Sequence, residues 1–156
     1  MPRGSKSPSS SMFPNLHNDV VGLLESSNLV FSFHNIDQPD CIQSYDTNIM
    51  GRFSCRNDNC LTKGWSSKII AITIRQYTGN RYNVKVYHQR CKACNWLAKP
   101  NLDNSYAERV AYRLKRWSGV TVETPPFKAR NVDRPPHIKI LCEGCRAGHC
   151  KMGYDD

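Results

Sequence analysis

Seven of the eight cysteines in this chain stand at spacings that suit a metal ion: Cys55 and Cys60, Cys91 and Cys94, Cys142 and Cys145, then Cys150, with His137 ahead of the last pair. Zinc takes thiolate sulfur and imidazole nitrogen at the corners of a tetrahedron, and a two-residue spacer lets neighbouring cysteines clamp one ion without strain. Eight such ligands close two zinc sites and leave only Cys41 over. Two other fates for the thiols are weaker. A lone cysteine is often a small buried hydrophobe, which does not account for a paired set. Disulfides need an oxidising compartment, whereas the first residues, MPRGSKSPSSSMFPN, carry basic side chains with no apolar stretch behind them. The expectation is a reduced chain in the cytoplasm or nucleus. It has no run of about eighteen apolar residues, and hence no membrane insertion.

The elements that must bring these ligands together are partly legible. Ser67 to Tyr77 is rich in β-branched residues, Thr78-Gly79-Asn80 has turn chemistry, and Arg81 to Arg90 alternates Tyr82, Val84 and Val86 with polar residues. A hairpin closed there places Ile69 near Arg90. Cys55/Cys60 and Cys91/Cys94 then emerge at one end, around one zinc, as in a zinc ribbon. A helix follows Pro100: Ser105 and Glu108 form a capping box, Tyr106, Val110, Leu114 and Trp117 share one face, and Gly119 stands past the end. After an irregular, proline-containing stretch from Val120 to Pro136, Ile138 to Leu141 forms a short strand into Cys142. His137, Cys142, Cys145 and Cys150 are assigned to the second zinc, with His88 and His149 as competitors for the imidazole position. Residues 1 to 18, rich in Ser and Pro, bury too little to offset ordering entropy and are expected to form a disordered tail. Val20 to Phe33 is ambiguous between helix and strand and is expected only to pack on the domain. The class is α+β: a small zinc-stabilised domain with an antiparallel hairpin, one packed helix and a second zinc knuckle.

Charge is unevenly spread. Residues 1–50 hold two Lys/Arg against five Asp/Glu, and residues 51–156 hold twenty against eight. Seven thiolates and two zinc ions would take three charges from the latter and leave about +9. A basic domain with aromatic side chains suits nucleic acid, where Lys and Arg meet phosphates and rings stack on unpaired bases. The candidate contacts are Arg109, Tyr112, Arg113 and Arg116 on the helix, with Arg81, Lys85 and Tyr87 on the hairpin. The plainer readings are a solvated helix flank and charge for solubility. A protein-interaction or chaperone-like adaptor is the alternative function. An enzyme fits worst, because a catalytic zinc keeps one position open whereas both quartets close. Glu143 lies inside the last pair without a deaminase signature around it. Neither catalysis nor a small-molecule substrate is expected.

Taken together, the motifs resemble the three-CxxC zinc-binding family, which includes vertebrate receptor-transporting proteins, zygote arrest proteins and many fungal proteins. The marks are Gly51-Arg52-Phe53 before Cys55, Gly64-Trp65-Ser66-Ser67 after Cys60, Gln89-Arg90-Cys91-Lys92-Ala93-Cys94, Pro136-His137, and Leu141-Cys142-Glu143-Gly144-Cys145 with Gly148 to Cys150. The four-residue spacer between Cys55 and Cys60 departs from the family's usual two and, with Tyr106 to Trp117 and Gly119, looks most like the fungal branch. The resemblance covers about Tyr45 to Cys150 and implies a zinc-binding domain, so the expected division is that domain over residues 45–152, an extension at 19–44 packed on it, and an acidic end at 153–156. Zygote arrest relatives imply RNA binding. Receptor-transporting relatives imply a trafficking adaptor, here expected without a membrane anchor because no membrane-proximal tail precedes Asp156.

Overall fold

The computed structural model describes residues 9–120 and 141–150. At its centre is a sheet whose strands lie in the order β1 (Ser10–Ser11), β5 (Arg81–Tyr87), β4 (Gly64–Tyr77), β3 (Gln43–Ser54) and β8 (Pro100–Leu102). The expected hairpin is β4 and β5, with Tyr77 opposite Arg81 and Ile72 opposite Val86. Its register brings Gln89, one residue before Arg90, to Ile69, where the Gln89 side-chain amide donates to the Ile69 carbonyl at 3.0 Å. A short strand β2, Ser32–Phe33, runs parallel to the start of β5, and β6, Gln89–Arg90, pairs with β7, Leu97–Ala98. Among the described residues, no helix is long and apolar enough to cross a membrane.

The stretch Ile69 to Ile74 is buried throughout, apolar except for Thr73, because the sheet is covered on both faces and each side of the strand faces packed residues. On one face Ile70, Ile72 and Ile74 join Ile49, Phe53, Tyr82, Val84 and Val86 beneath two helices, α1 (His17–Leu24) and α2 (Ser105–Trp117). Val20 and Leu24 come from the first helix; Tyr106, Val110 and Leu114 come from the second. Each such side chain, fully buried, stabilises the fold by about 1.5–3 kcal/mol before entropy is charged against it. The other face carries Asp46, Asn48, Ala71, Thr73 and Tyr87, and it receives the C-terminal cysteine segment.

Two expectations change, and one open choice is resolved. The tail of residues 1 to 18 ends early: β1 pairs with the outer edge of β5, the His88 amide donates to the Ser9 carbonyl, and Phe13 is buried in the core. An unpaired sheet edge and one aromatic ring outweigh the polar composition of the stretch, while its first eight residues lie outside the described ones. The ambiguous segment Val20 to Phe33 holds both structures, helix α1 and then strand β2. Ser105 does not cap α2. Its hydroxyl accepts from the Met50 amide at 2.8 Å, and the Asp103 carboxylate accepts from the Ser105 amide instead. At the other end the Val120 amide reaches the Lys115 carbonyl and the Gly119 amide the Arg116 carbonyl, a Schellman closure that needs the left-handed φ of Gly119 at 83°.

Candidate metal centre

The first cysteine group forms where strands end. β3 runs out into Cys55, whose amide donates to the Lys63 carbonyl; the Cys60 amide donates to the Asn57 carbonyl. On the facing side β6 leads into Cys91. There the Cys91 amide donates to the Trp96 carbonyl at 2.8 Å and the Asn95 amide to the Cys91 carbonyl at 2.7 Å, with Asn95 at a φ of 66°. These two tight turns bring the Sγ atoms of Cys55, Cys60, Cys91 and Cys94 within 4.8 Å of one another. Cys55 and Cys94 are 3.5 Å apart, Cys60 and Cys91 3.9 Å. A tetrahedron with zinc–sulfur bonds of about 2.3 Å has edges of about 3.8 Å, so the four sulfurs fit one zinc.

The crowding of sulfurs drives Cys55 and Cys94 in opposite directions. The Asn57 amide pulls Cys55 down, but burial and the neighbouring sulfurs of Cys94, Cys91 and Cys60 push it further up, to about 12. Cys94, held first by the Asn57 side chain, is lowered to about 7. A divalent cation resolves that conflict by favouring four thiolates at once.

The second group is built from one short stretch. Helix α3, Glu143–Arg146, begins at Cys142, whose Sγ accepts from the Cys145 amide at 3.3 Å. The His149 amide returns to the Gly144 carbonyl and delivers Cys150, so that the sulfurs of Cys142, Cys145 and Cys150 lie within 4.8 Å. Hydrogen bonding from Cys142, then burial and the nearby thiols, raise the Cys150 thiol well above its ordinary value. α3 rests directly on the sheet: a Cβ on Gly144 would stand 2.3 Å from that of Ala71. Three thiols around one point suit a second zinc. His137, the expected fourth ligand, lies outside the described residues. Its competitors are engaged elsewhere, His149 Nδ1 with Asp46 at 2.9 Å and His88 Nε2 with the Ser11 hydroxyl at 2.7 Å. The two cysteine groups can hold two zinc ions, and Cys41 belongs to neither.

The expected nucleic-acid contacts are largely taken up by the fold. The Arg113 guanidinium lies 3.5 Å from the centre of the Tyr45 ring, with Tyr112 at 5.7 Å. Arg109 is half-buried, and desolvation lowers its pKa. Of the helix stripe Arg116 is exposed, 5.9 Å from Tyr112. On β5, Arg81 donates to the Thr78 carbonyl and Lys85 pairs with Asp37 at 3.0 Å. Tyr87 is not the exposed ring that stacking on bases requires. It is 5% exposed and stacks on His149, because the C-terminal segment covers that face of the sheet.

Another surface is open. Arg56, Lys63 and Lys92 are exposed on the two turns of the first cysteine group, as are Trp96 at 41% and Leu61 at 96% exposure, with Arg52 exposed on the strand leading in. Sequence reasoning missed it by following helix periodicity. The available signal was that these residues are next to the ligands.

The comparisons with known proteins bear on the cysteine framework. A family model described as a zinc-binding domain, that of the three-CxxC zinc ribbon, matches residues 48–148, which contain all three cysteine pairs. No curated protein and no solved structure matches the chain significantly. With a match over more than half its length, and with two sets of thiols placed for zinc, the chain belongs to the three-CxxC zinc-ribbon family of zinc-binding domains.

Proposed function

We propose that the protein is a structural zinc protein that binds single-stranded RNA through the turns of its first zinc centre. The supporting observation is that Arg56, Lys63, Lys92 and Trp96 are all exposed on the two turns that carry the four clustered thiols. A zinc with four thiolates carries a formal charge of −2. Those cations, less Asp58, balance it locally, and Arg52 adds the excess that draws phosphates. The ring offers stacking, worth about 1–3 kcal/mol per base in such proteins. Both zinc sites are read as structural, with no catalytic step and a place in the cytoplasm or nucleus. The spacing of Cys55 and Cys60 supports kinship with the fungal branch, and more distantly with zygote arrest and receptor-transporting proteins.

The test is binding of a fluorescent single-stranded oligoribonucleotide across a salt series. Trp96→Ala is expected to weaken binding about tenfold or more with little change in salt slope. Arg56, Lys63 and Lys92 changed together to Gln are expected to flatten the slope by up to about 0.7 for each phosphate no longer neutralised. Affinity unchanged in both variants would remove this surface from the reading. A wild-type chain that binds neither RNA nor DNA at low salt would favour the adaptor, for which the nearly bare Leu61 offers an apolar tip.

A further inference from the structure

A side-chain pair joins the segments that carry the two cysteine groups. Arg90 immediately precedes Cys91, and Glu143 sits between Cys142 and Cys145. Arg90 Nε donates to Glu143 Oε2 at 3.0 Å, the two side chains being 26% and 12% exposed. The same guanidinium donates through Nη1 to the Asn95 carbonyl at 3.3 Å, inside the turn that shapes the first centre. Backbone contacts run alongside: Gln89 bridges Cys142, and the Glu143 amide donates to the His88 carbonyl at 3.1 Å. Arg146, more exposed, approaches the same carboxylate oxygen at 3.6 Å.

We propose that Arg90 and Glu143 couple the two centres energetically, so that zinc at either one tightens zinc at the other. An ion at the first centre fixes the turn from Cys91 to Trp96, and with it the Asn95 carbonyl that orients Arg90. The oriented guanidinium then holds Glu143, the first residue of α3, where the second ion needs Cys142 and Cys145 to stand. Ordering this junction costs conformational entropy, and whichever ion binds first meets that cost for both. Linkage makes the effect reciprocal: each centre changes the other's affinity by the same factor. Neither Arg90 nor Glu143 ligates metal, so they act as positioning residues.

The experiment uses the 156-residue chain loaded with cadmium-113, whose resonances report separately the centre of four described thiols and the centre of three. A competing chelator is added stepwise. Glu143→Gln, a change beside the second centre, is expected to weaken metal at the first about five- to tenfold, and Arg90→Gln to weaken the second by a similar factor. The double variant should be no weaker than either single one. Arg90→Lys, which keeps the charge but not the fork to Asn95, should fall between wild type and Arg90→Gln; it also carries the test if a Gln variant does not fold. Effects confined to the neighbouring centre, or a double variant whose loss is the product of the two singles, would overturn the coupling. So would an Ile72→Val control that weakens both centres as much, since general destabilisation would then explain the result.

Discussion

The two cysteine groups use the same chemistry in different settings. The first gathers ligands from chain segments that flank the long hairpin and sits at the rim of the sheet, with Arg56, Lys63, Lys92 and Trp96 turned outward. The second takes its three described thiols from residues 142 to 150 and lies on the sheet's face, with Gly144 against Ala71 and His149 stacked on Tyr87. A metal at the rim fixes distant segments and leaves their outer side chains exposed. A metal on the face anchors one segment and closes a surface. Position in the fold, more than ligand type, separates an exposed rim from an anchor.

That contrast is open to attack in order of expected effect. Cys91→Ser removes a buried ligand shared by the long-range clamp and should abolish cooperative melting, since structural zinc supplies folding free energy that can exceed about 10 kcal/mol in the smallest domains. Cys145→Ser should release α3 yet keep one zinc and most of the near-ultraviolet signal. Equal damage in a side-by-side thermal melt and metal assay would erase the distinction. Gly144→Ala, forced against Ala71, is expected to cost about 1–3 kcal/mol by overpacking. It should lower zinc content toward one per chain, and a wild-type melt with two zinc ions would mean that the face has room to spare.

Smaller effects sharpen the surface assignments. Arg113→Ala takes the guanidinium away from the Tyr45 ring and should destabilise by about 0.5–2 kcal/mol in a urea titration while leaving RNA affinity alone. A stable variant with impaired RNA binding would return the helix stripe to the interface. Replacing Arg56, Lys63 and Lys92 by Gln should move stability by no more than about 0.5 kcal/mol. Cys41→Ser should leave elemental analysis at two zinc ions per chain.

The cysteine framework, the β4 and β5 hairpin and the amphipathic α2 are readable along the chain, because each depends on residues close in sequence: a clamp spacing, an alternation, a helical period. The sequence by itself thereby determined which atoms can take a metal and which local elements carry them. What lay on either side of those elements was settled only in three dimensions. Tyr45 receives Arg113 from 68 positions away, Phe13 finds the core, Tyr87 disappears beneath His149, and Arg90 meets Glu143 across 53 residues. The physical reason is that burial and ion pairing depend on which partner the folded chain brings opposite a side chain. The pattern of a single strand or helix records that it has faces, but not what will cover them.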